Sequence, residues 1–206
     1  MPAELSPDTL AQAVSLMLPH PQNKEYINNI LSGACRESAC ESLFALAMLY
    51  ELITELPACG EDTDELILAR SDMGKPFFKG SRIKFNVSHS HGYVACAAAI
   101  DEELGVDIEA ADIPPERANR LAKRYFTEDE QIALAESKKS FTDIWTMKES
   151  EAKFLGKSVA NVLSEDKIQQ NNSKTQNVHF HRFRFDNIPI TLCTKRVYST
   201  ILFTVR

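Results

Sequence analysis

The segment from Gly74 to Glu109, GKPFFKGSRIKFNVSHSHGYVACAAAIDEELGVDIE, restricts the fold more than any other part of the chain. Phe85–Val87 and Tyr93–Ile100 are rich in aromatic, β-branched and small residues and read as strands. Ser88–Gly92 reads as the turn between them, and Asp101-Glu102-Glu103 as a second turn. A third strand follows over Leu104–Glu109. Alternate side chains of a strand share a face, so Asp107 and Glu109 point one way, and Val106 and Ile108 the other. Adjacent carboxylates repel unless a cation or strong donors lie between them. Mg2+ that shares its shell with phosphate oxygens meets that need, as does plain exposure on an amphipathic edge. Gly74-Lys75-Pro76 predicts a stiff turn that either aims a lysine at an anion or leaves it in solvent.

With 206 residues, 44% hydrophobic and 25% charged, the chain is long enough for one sizeable domain or two small ones. A net charge of -6 disfavours nucleic acid and anionic membranes as partners, so an anionic ligand needs locally gathered cations. Cys35, Cys40, Cys59, Cys96 and Cys193 are odd in number and contain no CxxC. That pattern suits reduced thiols and a cytoplasmic location rather than a disulfide framework or zinc site. No run approaches the ~18 apolar residues of a membrane span, and the first residues do not resemble a signal peptide.

Elsewhere the signals are helical, then extended. Residues 1–33 are weakly periodic, with Asp8 as a candidate cap for a short helix through Met17, ended by His20-Pro21. Leu43, Leu46, Tyr50 and Ile53 give one apolar face to a helix over 37–55. Leu66–Leu68 reads as a short buried strand. Pro114-Pro115 opens a helix to Tyr125 carrying Arg117, Arg120, Lys123 and Arg124, either a solvated face or a dock for an acidic partner. Thr127 and Glu130 fit a capping box ahead of a short helix to Glu136. A further helix is expected over 141–155, closed by Gly156. Phe141, Ile144, Trp145, Ala152 and Leu155 share one side of it, with Lys148 near the middle and Glu149 on the shoulder. A lysine in an apolar stripe calls for an anionic partner. The i,i+4 pairing of Glu149 and Lys153 accounts for those two residues but not for Lys148. Residues 160–177 read as a polar loop, and 178–206 as two or three antiparallel strands. There His179 and His181 share a face but lack a third ligand.

In order, GKP, FNVSHS, GVDIE, RYF with a glutamate soon after, and WTMKESEAKFLG resemble the 4'-phosphopantetheinyl transferase superfamily, most of all its longer, surfactin-type (group II) members. The resemblance covers residues 70–156. It implies an α+β fold of two similar-sized, pseudo-symmetric subdomains, 1–102 and 103–206. Each would pack an antiparallel sheet with helices, and the active site would lie in the cleft between them.

The activity implied is transfer of the 4'-phosphopantetheine arm of coenzyme A to a serine of an apo acyl or peptidyl carrier protein, with release of adenosine 3',5'-bisphosphate. The resemblance also implies Mg2+ held by Asp107, Glu109 and Glu149, with Lys148 and Lys153 on phosphates and Lys153 protonating the leaving group. The general base would be Glu149 or Glu130. Coenzyme contacts would come from Arg70, Lys75, Pro76, Asn86, Ser88 and His89, Ser88 and His89 holding the 3'-phosphate. One position departs from the pattern: Glu41 stands where relatives often carry a basic residue. A fused two-half chain supplies both sides of a cleft, so a monomer is expected. The competing readings are another Mg2+-dependent phosphoryl or nucleotidyl transferase, though GxxxxGK[ST] is missing, and a non-catalytic coenzyme- or carrier-binding module.

Overall fold

The computed structural model describes residues 6–33, 35–56, 61–157, 160, 178–197 and 203–205. Three helices come first: α1 (Pro7–Met17), α2 (Asn23–Gly33) and α3 (Arg36–Thr54). Strands β1 (Leu68–Arg70) and β2 (Pro76–Phe78) follow, then β3 (Ile83–Ser90), β4 (Tyr93–Ile100) and β5 (Leu104–Ile108). Helices α4 (Pro115–Tyr125), α5 (Glu128–Ala135) and α6 (Phe141–Leu155) precede β6 (His179–Phe185), β7 (Ile188–Thr194) and β8 (Phe203–Val205). The fold is α+β, with antiparallel sheets. The expected loop over 160–177 falls outside the described residues except for residue 160.

Several boundaries differ from expectation for local reasons. Ser6 caps α1, its Oγ accepting from the Thr9 N–H at 3.2 Å, while Asp8 sits inside the first turn. Residues 23–33 form a whole helix that weak periodicity concealed; it buries only Asn23, Ile27 and Ile30. The first strand begins at Leu68, where Asn23 accepts the backbone N–H at 2.8 Å. β3 runs on to Ser90, and His91 and Gly92 alone make the turn, both at positive φ (50° and 83°). Two residues in that conformation suit a hairpin between twisted strands.

The two halves are built alike. Hairpin β3–β4 packs under α3, and the neighbouring strands β5 and β7 pack under α6. Each hairpin sends its next strand to the other sheet: β5 follows β4 but pairs with β7, and β8 follows β7 but pairs with β4. Sheet orders are therefore β3-β4-β8 and β5-β7-β6, while β1 and β2 pair separately. Alternation along β4 serves both neighbours. Val94, Cys96 and Ala98 join the core under the helices. Ala95 and Ala97 join Val106, Ile108, Ile190 and Leu192 between the halves. The small residues of β4 thus pack beneath the helices on one face and let the two sheets approach on the other.

A third cluster seats α4 on α6 through Ala122, Phe126, Phe141 and Ile144, where Phe141 stacks on Phe126 at 5.2 Å and on Trp145 at 5.6 Å. Among the described residues Cys35, Cys96 and Cys193 are free thiols. No helix among the described residues is long and apolar enough to cross a membrane.

Candidate active site

β5 is an edge strand, and its outward N–H groups need partners that a neighbouring backbone does not provide. Side chains of β3 supply them. Val106 N–H donates to Asn86 Oδ1 at 2.8 Å, Ile108 N–H to Ser88 Oγ at 3.4 Å, and Ala110 N–H to Ser90 Oγ at 3.1 Å. Period-two spacing puts residues 86, 88 and 90 on one face of β3, so a ladder of polar side chains joins the halves. The polar residues that looked anomalous at the end of an apolar strand are this ladder.

The ladder also sets the two strand carboxylates. Ser88 donates to Asp107 Oδ1 at 2.9 Å, and Ser90 to Glu109 Oε1 at 2.8 Å. From α6, Lys153 Nζ reaches both Asp107 Oδ1 and Ser88 Oγ at 2.7 Å. α6 comes this close because Gly105 has no side chain: a Cβ there would lie 2.1 Å from the Ser150 carbonyl oxygen and 2.3 Å from the Phe154 nitrogen. Burial pushes the Asp107 carboxyl above its usual range, opposed by Lys153 and Ser88. Burial also raises Glu149, to about 7, with Asp107 and then Glu109 adding repulsion and Lys153 opposing.

Asp107, Glu109, Glu149 and Lys153 line one cavity of about 370 Å³. Its other walls come from Tyr26 and Ile30 of α2, Ser42 and Leu46 of α3, Arg70 and Pro76, and residues 87–90 of β3. Arg70 is held by the Gly74 carbonyl at 3.0 Å and lies over the Tyr26 ring at 5.0 Å. The cavity lining thus combines three carboxylates and a lysine with a guanidinium, an imidazole, hydroxyls and apolar side chains. The carboxylates suit a cation with phosphate oxygens, and the remaining lining suits a nucleotide. Three carboxylates in mutual repulsion are the chemistry a divalent cation relieves. Among the described residues no three His, Cys, Asp or Glu side chains are already gathered in a coordinating set.

Of the sequence-predicted residues, Arg70, Pro76, Ser88, His89, Asp107, Glu109, Glu149 and Lys153 line this cavity, and three others do not. Lys75 pairs with Glu103 at 2.8 Å and donates to the Leu104 carbonyl at 3.2 Å, tying its turn to the start of β5. Asn86 is spent on the ladder. Lys148 is buried against Glu130 at 3.0 Å, and the same Glu130 oxygen accepts from the Thr127 N–H at 2.8 Å in the capping box. The anion that Lys148 called for is therefore present in the neighbouring helix. Tyr26, Ser42 and Ser90 line the cavity without having been singled out; for Ser90 the alternation Asn86-x-Ser88-x-Ser90 was the available signal. His179 is exposed on β6, while His181 Nε2 lies 3.0 Å from Thr194 Oγ1.

Comparison with known proteins agrees with this arrangement. The model of the 4'-phosphopantetheinyl transferase superfamily matches residues 103–196, and a model described as 4'-phosphopantetheinyl transferase, N-terminal, matches residues 6–101. The chain is similar to 4'-phosphopantetheinyl transferase gsp of Aneurinibacillus migulanus, 32% identical over 54% of this chain and 47% of that protein. It is also similar to the L-aminoadipate-semialdehyde dehydrogenase-phosphopantetheinyl transferase of Xenopus laevis, 34% identical over 45% of this chain and 36% of that protein. The matches span about half, or less, of the length of these relatives. With a model of one superfamily matched to each half and the superfamily's motif residues meeting in one cavity, the chain belongs to the 4'-phosphopantetheinyl transferase superfamily.

Proposed function

We propose that this protein transfers the 4'-phosphopantetheine arm of coenzyme A to a serine hydroxyl of an apo acyl or peptidyl carrier protein and releases adenosine 3',5'-bisphosphate. The observation that carries the proposal is the convergence of Asp107, Glu109, Glu149 and Lys153 in one cavity that Arg70, Pro76, Ser42 and His89 also line. Under this reading Asp107, Glu109 and Glu149 hold Mg2+. The ion supplies Lewis-acid polarisation of the pyrophosphate.

Glu149 receives the proton of the attacking serine, directly or through a metal-bound water. Glu130 is less suited, since it is engaged by Thr127 and Lys148 and lies outside the cavity lining. Lys153 stands beside Asp107 and donates a proton to the departing phosphate oxygen. His89 binds the 3'-phosphate, and Arg70 and Pro76 bound the adenine end. Lys75 and Asn86 support the coenzyme pocket through the segments they hold, and Lys148 supports it through Glu130. The active protein is a cytoplasmic monomer with its two halves, 1–102 and 103–206, forming the cleft.

Incubation with coenzyme A, Mg2+ and apo carrier protein is expected to add about 340 Da to the carrier serine, the mass of the transferred phosphoryl group and its arm. No gain with fatty-acid, polyketide and peptide carriers alike would refute the activity. The metal assignment has its own readout. Mg2+ is expected to raise the thermal midpoint of the unmodified protein by binding the folded state. Asp107→Ala is expected to lose that rise together with turnover; an Asp107→Ala protein still stabilised by Mg2+ would remove Asp107 from the site.

A further inference from the structure

Glu41 takes no part in the chemistry above, yet it is a carboxylate only 5% exposed. Both its oxygens are engaged. Oε1 accepts from the Gly92 N–H at 2.6 Å, which ties the tip of the β3–β4 hairpin to α3. Oε2 lies 2.8 Å from Nδ1 of His89. The next residue, Ser42, places its Oγ 3.5 Å from Nε2 of the same ring. His89 and Ser42 line the cavity, and Glu41 stands behind them.

A hydrogen bond at one ring nitrogen of a histidine decides which nitrogen carries the proton and how the ring is turned. With Nδ1–H donating to Glu41, Nε2 is the nitrogen offered to the cavity. When the ring carries both protons, Nε2–H becomes a charge-assisted donor toward an anion. The other cations that line the cavity have closer commitments: Arg70 to Gly74 and the Tyr26 ring, Lys153 to Asp107 and Ser88. Nε2 of His89 lies 3.5 Å from Ser42 Oγ, at the outer limit of hydrogen bonding.

We propose that Glu41 is a positioning residue that fixes His89 for the terminal 3'-phosphate of the coenzyme and thereby sets the preference for coenzyme A over 3'-dephospho-coenzyme A. The proposal rests on the function proposed above. It also gives a physical reason for an acidic residue where relatives often carry a basic one: the carboxylate acts on the phosphate through the imidazole, from behind it.

Glu41→Gln keeps the side-chain shape and an acceptor for Gly92 while removing the anionic acceptor at Nδ1. Its KM for coenzyme A is expected to rise about tenfold, the equivalent of one charge-assisted hydrogen bond. Its KM for 3'-dephospho-coenzyme A is expected to stay within about twofold. A residue that only braces the hairpin would raise both KM values together, and that result overturns the proposal.

In an His89→Ala background Glu41→Gln is expected to change neither KM further, because its effect runs through the imidazole. A persisting effect there also overturns it. Calorimetric titration with adenosine 3',5'-bisphosphate and with adenosine 5'-monophosphate gives the same comparison without a carrier, and selective weakening of the bisphosphate supports the proposal. Glu41→Asp, which keeps the charge but is one methylene shorter, is the second variant should Glu41→Gln fail to fold; it is expected to show the same selectivity on a smaller scale, and equal losses overturn the proposal. If the unmodified protein transfers nothing from coenzyme A to any carrier, the function itself is refuted. If it transfers and the ratio of KM values does not move in either Glu41 variant, only the role of Glu41 is refuted.

Discussion

Glu149 is pushed up to about 7 by burial and by the charges of Asp107 and Glu109. An acid whose carboxyl titrates higher in the folded chain than in the unfolded one favours folding while protonated. That advantage is present below about pH 4.5 and is lost as pH rises through about 7. Glu149→Gln, which stays neutral, is therefore expected to match the unmodified protein near pH 4 and to be the more stable of the two at pH 8. The difference is at most about 3 kcal/mol. Urea denaturation at the two pH values measures it; a variant no more stable at pH 8 would show that Glu149 is not strained. The same residue gives an activity prediction: Glu149→Gln is expected to lose most turnover at every pH. A side chain that destabilises the free fold and is needed for chemistry is common at active sites.

Among the elements, the contact of β5 with α6 matters most for the site. Gly105 allows it, since any side chain there would meet the backbone of residues 150 and 154. Gly105→Ala is expected to cost more than about 3 kcal/mol, above the usual range for overpacking because backbone rather than a flexible side chain must move. It would also carry Glu149 and Lys153 away from Asp107. A thermal midpoint within a degree or two of the unmodified protein would contradict this packing account. The ladder from β3 makes a separate prediction. Asn86→Ala leaves the buried Val106 N–H without its acceptor, with an expected cost of about 1–3 kcal/mol, measurable by denaturant titration. Its effect on coenzyme binding is expected to follow from the loosened β3–β5 join, because Asn86 does not line the cavity.

At the scale of the whole molecule, the first half is completed by a strand from the second. β8 covers the edge of β4, so deleting residues 203–206 is expected to lower the thermal midpoint of the entire chain by a few degrees. An unchanged midpoint would mean that the added strand contributes little. Under the proposed function the basic face of α4 is the candidate dock for an acidic carrier: Arg117, Arg120, Lys123 and Arg124 are exposed while Ala122 faces α6. Arg117→Glu with Arg120→Glu is expected to raise KM for the carrier by tenfold or more and to leave the affinity for coenzyme A alone. An unmoved carrier KM would place docking elsewhere.

Strand and helix types over 83–155 were legible because their signals are local: period-two and period-3.6 patterns, a capping box at Thr127 and a closing glycine at 156; the turn read over Ser88–Gly92 is narrower, His91 and Gly92 alone. The pairing of Asp107 with Glu109 on one strand face was legible for the same reason. What the sequence could not supply were facts that depend on distant residues meeting. These include α2 lining the cavity, β5 and β8 changing places, Lys148 meeting Glu130, Glu41 standing behind His89, and the reason position 105 is glycine. The sequence by itself determined which chemistry-bearing side chains exist and which of them share a strand or helix face, since backbone periodicity orders near neighbours. Only the tertiary structure decided which of those side chains meet the cavity and which meet one another, because contacts across 20 to 65 positions are chosen by packing between the halves.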